Sequence, residues 1–192
     1  MHIHILGICG TFMGGIARLA VEMGHQVSGS DMNVYPPMST QLEQLGIDII
    51  EGYDAAQLDS NPDCIVVGNV MTRGHEVIEM LLERKIPIIS GPQWIKDNVL
   101  KDRWVLAVAG THGKTTTTSL IASIFQETKL DPTIINGGVI NSIKNTAKLG
   151  KSDWSILEAD ESDGSFVHIA PTYSIITNID REHMDFYKSR MI

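Results

Sequence analysis

At 192 residues, with 43% apolar and 20% charged side chains, the chain has an ordinary globular composition and enough length for one large or two small domains. Its formal charge of −8, with no stretch that gathers lysines and arginines, excludes an extended nucleic-acid surface but allows a local pocket for one nucleotide. Cys9 and Cys64 lack CxxC spacing, which argues against zinc and a disulfide framework; without a signal peptide or an apolar run of membrane-spanning length, a reducing cytoplasm is expected.

Residues 2–8 read as a strand, and Gly7, Gly10, Gly14 and Gly15 as a turn into a helix carrying Ile16, Leu19, Ala20 and Met23. A second strand over 26–30 ends at Asp31, about twenty residues past the glycines, which resembles a dinucleotide-binding layout. The fingerprint itself is poor, because Cys9 and Phe12 stand where its second and third glycines would fall. A purely structural turn and a diphosphate site both stay open.

Pro36-Pro37 breaks the chain, and Ser39 is placed to cap a short helix to Leu45. Strands over 47–51, 64–68 and 87–90, with a helix over 76–84, continue the alternation of a Rossmann-like α/β domain with a mainly parallel sheet. Gly91-Pro92 begins a connecting helix, and Lys101-Asp102-Arg103 marks the expected boundary between domains 1–100 and 101–192.

The second domain opens on WVLAVAGTHGKTTTT, an apolar run, a glycine turn and a helix whose Leu120, Ile121, Ile124 and Phe125 fall on one face. Such a turn lets backbone N–H groups converge on phosphate oxygens, and the helix adds unpaired donors and the positive end of its dipole. The predicted phosphate-binding residues are Gly110, Thr111, His112, Gly113, Lys114, Thr115 and Thr116. Lys114 would reach the outer phosphates, and Thr115 or Thr116 would put a hydroxyl on magnesium. Val108 occupies the position of the usual first glycine, so this is a shortened variant of the P-loop.

Beyond it, a strand over 133–135 leads to a predicted turn at Asn136-Gly137-Gly138. A strand over 154–157 ends in Glu158, Asp160, Glu161 and Asp163, where nucleotide enzymes place a second magnesium ligand; a solvated acidic loop is the bland alternative. A strand over 173–179 delivers Asn178, Asp180, Glu182, His183 and Asp185 to the same edge, where His183 could ligate a metal. His112 could donate to a phosphate, and His2, His4, His25, His75 and His168 read as structural.

AGTHGKTTTT, EADESDGSF and TNIDREHMDFY, in that order, resemble the central domain of the Mur ligases of peptidoglycan synthesis, and the preceding hundred or so residues resemble their amino-terminal domain. Residues 1–118, with GICGTFMGG, NVYPPMS, GNVMTRG and SGPQW, resemble the family's murein peptide ligases. Residues 129–192, with LDPTIINGGVINS and EADESDGSFVHI, resemble its UDP-N-acetylmuramate–L-alanine ligases. A third, amine-binding domain of the family has no counterpart here, so a fragment, inactive alone, is expected.

The resemblance implies an ATP-dependent ligase in which the lactyl carboxylate of UDP-N-acetylmuramate is phosphorylated and then attacked by the amine of L-alanine or the L-Ala-γ-D-Glu-meso-diaminopimelate tripeptide. It implies catalytic roles for Lys114, Glu158 and His183, magnesium ligation by Thr115, Glu158 and His183, and UDP-sugar contacts at Gly7, Gly10, Thr11, Gly14, Asp31 and Asn136. Two readings from other classes stand beside it: an NAD-dependent oxidoreductase built on the first glycine turn, and a non-catalytic nucleotide-binding module.

Overall fold

Two five-stranded sheets organise the chain, one in each of the units Met1–Trp94 and Ile95–Ile192. The computed structural model describes residues 1–69, 71, 73–161 and 165–182.

The first unit runs β1 (His2–Leu6), α1 (Thr11–Glu22), β2 (Gln26–Asp31), α2 (Met38–Glu43), β3 (Asp48–Glu51), a 3-10 turn (Ala55–Ser60), β4 (Cys64–Val67), α3 (Glu76–Glu83) and β5 (Ile88–Ser90) into α4 (Gly91–Asn98). All pairings are parallel, in the order β3-β2-β1-β4-β5. The order reverses beside β1, the switch point at whose carboxyl edge α/β sheets bind ligands. Central β1 buries Ile3, Ile5 and Leu6, and α1 buries Ile16, Leu19 and Ala20, three of the four residues its periodicity selects; the fourth, Met23, is the C-cap and only half-buried.

Two expectations need correction here. The first strand stops at Leu6 because Gly7 takes φ +79°, and the N–H groups of Gly7 and Ile8 both donate to the Ser30 carbonyl. Ser39 does not cap α2: the helix begins one residue earlier behind Pro37, whose ring holds φ near helical values, and Ser39 is buried.

His4, fully buried in β1, does prove to be a packed histidine rather than a free one. Its Nδ1 lies 2.9 Å from Ser28 Oγ and its Nε2 3.2 Å from Gln57 Oε1, while His2 Nε2 lies 2.8 Å from the same Ser28 hydroxyl. Burial pushes the His4 imidazole down to about 4; the Gln57 hydrogen bond opposes the shift and His2 adds to it.

The second unit contains β6 (Trp104–Ala109), α5 (Lys114–Glu127), β7 (Thr133–Ile140), β8 (Asn145–Lys148), β9 (Trp154–Glu158), a 3-10 turn (Ser165–His168) and β10 (Tyr173–Ile176), with strand order β10-β6-β9-β7-β8. Only β7 with β8 is antiparallel. Asn136-Gly137-Gly138 lies inside β7 rather than forming a turn; an irregularity in its register with β8 falls between Ile135 and Ile140, across those residues. Strand β8 had no forecast.

Helix α5 also differs from its sequence reading. It lays Thr118 and Ala122, one turn apart, against the sheet, while Leu120 and Ile124 are 61% and 60% exposed. Ala122 packs with Ile134 and Ile140, and Thr118, one turn before it, is fully buried.

Arg103 ties the base of this sheet together, its Nη1 donating to Thr133 Oγ1 at 3.0 Å and to the Ser152 carbonyl at 2.7 Å. Trp154 stacks on Trp104 and Tyr173, with centroids 6.2 and 5.9 Å away, and meets Phe125 edge to face at 5.3 Å.

Candidate nucleotide site

Strand β6 ends at the carboxyl edge of the second sheet, and the chain turns there through two glycines. Gly110 takes φ +127° and Gly113 φ +83°, backbone conformations that a residue with a Cβ rarely adopts. Gly113 is the N-cap of α5, and with no side chain capping that end, the first-turn N–H groups have no intrahelical acceptor. Lys114, Thr115 and Thr116 therefore sit at the positive end of a fourteen-residue helix.

Lys114 is nearly enclosed, with its side chain 12% exposed. Its Nζ donates to Glu161 Oε1 and Oε2 at 2.9 and 2.7 Å, with Asp160 Oδ1 at 3.8 Å. Asp160 and Glu161 thus lie beside the head of α5, and the solvated-loop alternative does not describe Glu161.

Thr115 Oγ1 donates to Glu158 Oε1 at 3.0 Å, and Glu158 Oε2 accepts the Gly137 N–H at 2.7 Å. Two of the three predicted magnesium ligands are therefore in contact, and both offer oxygen, the donor that a hard divalent cation prefers. The space beside them depends on glycine: a Cβ at Gly137 would lie 2.8 Å from Glu158 Oε2, and one at Gly138 would lie 3.0 Å from Thr115 Cγ2. This donor set fits magnesium if phosphate oxygens and water complete the shell. His183, the third predicted ligand, lies outside the described residues, as do Asp163 and Asp185. Among the described residues, no three His, Cys, Asp or Glu side chains form a metal cluster by themselves.

Asn136 is buried at the rim of this region. Its Nδ2 donates to the Gly138 carbonyl at 2.9 Å and to Ser119 Oγ at 3.3 Å, and its buried Oδ1 has no partner among the described residues. His112 is exposed, with Nδ1 3.8 Å from Glu182 Oε2.

The segment after β10 closes over the loop. Thr111 and His112 spend their N–H groups on Asn178, through its carbonyl at 3.2 Å and its Oδ1 at 3.0 Å, so the turn offers fewer free donors than its sequence suggests. Thr177, which sequence reasoning passed over, donates its hydroxyl to the His112 carbonyl at 2.7 Å. Its only signal was its place at a strand end, next to residues already singled out.

In the first unit, Gly7, Gly10, Thr11 and Gly14 form the turn from β1 into α1. Gly10 is the N-cap of α1, and a Cβ on Gly14 would lie 2.4 Å from Met38 Sδ. Asp31 is nearly buried, and both its oxygens accept backbone N–H groups, Oδ2 from Cys9 and Oδ1 from Asn33, each at 2.9 Å. The carboxylate braces the glycine turn itself, a structural use that its place past the glycines serves without any ligand. Burial and then the Asp31 charge push the Cys9 thiol to about 11 and the Tyr53 phenol to about 12, so both stay protonated at neutral pH. No helix among the described residues is long and apolar enough to cross a membrane.

Comparison with known proteins gives this geometry a context. The chain matches the family models for the Mur ligase family, catalytic domain, over residues 2–103, and for the Mur ligase middle domain over residues 108–191. A UDP-N-acetylmuramate–L-alanyl-γ-D-glutamyl-meso-2,6-diaminoheptandioate ligase of Escherichia coli (strain K12) is 53% identical over 97% of the chain and 42% of its own length. A UDP-N-acetylmuramate–L-alanine ligase of Pelagibacter ubique (strain HTCC1062) is 49% identical over 97% of the chain and 40% of its own length. The solved structure of the tripeptide-named ligase from Neisseria meningitides superposes with a TM-score of 0.92 at 47% identity, covering 97% of this chain and 63% of that one. The chain thus spans about two fifths of the curated relatives it matches.

Proposed function

This chain belongs to the Mur ligase family, and we propose that it carries the UDP-sugar and ATP sites of a ligase that joins the lactyl carboxylate of UDP-N-acetylmuramate to an amine. The observation that carries this reading is the junction of β6, α5 and β9. There an enclosed lysine, a first-turn hydroxyl and a strand-end carboxylate meet at a glycine turn of positive φ. Residues 1–100 hold the UDP-sugar, with Gly7, Gly10, Thr11, Gly14 and Asp31 shaping its site, and Asn136 is a further proposed contact of that substrate. Residues 101–192 hold ATP.

In the proposed reaction the carboxylate takes the γ-phosphoryl group of ATP to become an acyl phosphate; the amine then displaces phosphate to form the amide, and ADP and phosphate leave. Phosphoryl transfer asks a protein mainly for positioning and charge neutralisation. The N–H groups of Gly113, Lys114, Thr115 and Thr116 supply donors to the phosphates, with the side chains of Thr111 and His112 flanking them. Lys114 exchanges its Glu161 partner for phosphate oxygen and offsets charge on the transferred group. Thr115, Glu158 and His183 would hold magnesium, which would neutralise negative charge on the transferred phosphoryl group.

The amine proposed first is the L-Ala-γ-D-Glu-meso-diaminopimelate tripeptide, which the 53% identical relative carries in its name; L-alanine, named in the 49% identical relative, is the second reading. The proposed location is cytoplasmic, where the nucleotide substrates are. Calorimetric titration of the chain with UDP-N-acetylmuramate, and with magnesium and a non-hydrolysable ATP analogue, tests the proposal. Both should bind, and Lys114→Ala should lose the ATP analogue while keeping the UDP-sugar. Unchanged analogue binding by that variant, or tight NADH binding without ATP binding, would overturn it.

A further inference from the structure

We infer that Thr177 and Asn178 are positioning residues for the phosphate loop, fixing its backbone in the shape that receives the nucleotide without touching the nucleotide themselves. The inference rests on the ATP-binding role proposed above.

The geometry is specific to one residue of the loop. The Asn178 amide addresses both backbone groups of His112: Oδ1 accepts its N–H at 3.0 Å, and Nδ2 donates to its carbonyl at 2.9 Å. The Thr177 hydroxyl donates to the same carbonyl at 2.7 Å, with the Ala109 carbonyl at 3.2 Å. Backbone bonds frame this clasp, from Thr177 N–H to Ala109 O at 3.0 Å, from Thr111 N–H to Asn178 O at 3.2 Å, and from Asp180 N–H to Thr111 Oγ1 at 2.9 Å. The two segments approach so closely that a Cβ on Gly110 would sit 2.2 Å from Thr177 Oγ1 and 2.9 Å from the Asn178 carbonyl oxygen.

A turn with two glycines has more backbone freedom to lose than a turn of residues that carry a Cβ. Turning the His112 carbonyl toward the end of β10 removes that freedom before the ligand arrives, and it keeps a carbonyl dipole away from the phosphates. Binding then costs less ordering entropy, which is what preorganisation contributes to affinity. The clasp is exposed to solvent, so it adds little to global stability, where a neutral hydrogen bond is worth only about 1 kcal/mol.

Thr177→Val and Asn178→Asp are nearly isosteric tests: the first deletes the hydroxyl, and the second keeps the acceptor for the His112 N–H while replacing the donor with an oxygen that repels the carbonyl. Calorimetry with magnesium and a non-hydrolysable ATP analogue should show about tenfold weaker binding for each, roughly the effect of one or two lost hydrogen bonds. Thr177→Ser should restore wild-type affinity, UDP-N-acetylmuramate affinity should not change, and thermal midpoints should stay within a few degrees. Wild-type analogue affinity in both variants would overturn the positioning role while leaving the ATP site intact. So would a loss of affinity matched by loss of fold that serine does not rescue. If the wild-type chain binds no analogue, the ATP reading fails and this inference fails with it.

Discussion

The buried histidine of β1 makes the first unit sensitive to acid by an amount that can be worked out. His4 sits between Ser28 and Gln57, and it ionises at about 4 when folded, against an ordinary value of 6.5. Because the folded value is depressed, the unfolded chain binds this proton first as pH falls. The site therefore costs nothing above the unfolded value, and stability drops as pH descends from 6.5 towards 4. At ~pH 5 the penalty relative to ~pH 7.5 is about 2 kcal/mol, and it levels off near ~3 kcal/mol once the folded site also protonates. Urea unfolding followed by circular dichroism at those two pH values, for the wild type and for His4→Gln, isolates the contribution. The amide can still meet Ser28 and Gln57 but cannot take up a proton, so the variant should lose about 2 kcal/mol less than the wild type between the two conditions. Equal losses for both proteins would refute the reasoning.

Two glycine substitutions separate binding from stability. Gly137→Ala places a methyl 2.8 Å from Glu158 Oε2 and displaces the carboxylate from the Gly137 N–H, so magnesium-dependent analogue binding should weaken about tenfold in calorimetry with the melting curve little changed. Gly150→Ala places its methyl 2.1 Å from the backbone carbon of Pro132, which cannot swing aside as a side chain can. That variant should lose about 3 kcal/mol or more of stability in urea titration, and a loss below about 1 kcal/mol would show that the β7 end has slack.

The glycine turn and the helix behind it were legible because the pattern is local: Gly113, Lys114 and Thr115 are consecutive, and the structure places them at the head of a helix. The parallel strands were legible for a similar reason, since runs such as those of β1 and β6 are short, apolar and bounded by turns. What escaped depends on distance rather than pattern. The buried face of α5 carries Thr118 and Ala122, with Ala122 packed on Ile134 and Ile140, tertiary partners that hydrophobic periodicity does not contain. Gly137 and Gly138 read as a turn because glycine pairs usually are one, yet they serve here to give Glu158 and Thr115 room inside a strand. Asp31, at the position a dinucleotide layout reserves for a ribose contact, accepts the Cys9 and Asn33 N–H groups, a use invisible without the fold of the turn. The Lys114–Glu161 pair joins residues 47 positions apart, and only the return of β9 beside β6 brings them together.

The aromatic stack at the foot of the second sheet gives the molecule an optical reporter of its own. Trp104 and Trp154 lie 6.2 Å apart with planes inclined by 30°, close enough for their intense far-ultraviolet indole transitions to couple, so the pair should add a signed couplet to the far-ultraviolet dichroism. Phe125, near the far end of the helix that begins at the phosphate loop, rests its ring against Trp154. A shift of that helix along its axis changes the surroundings of the coupled pair, turning an event at the nucleotide end into a spectral change at the other without any added label.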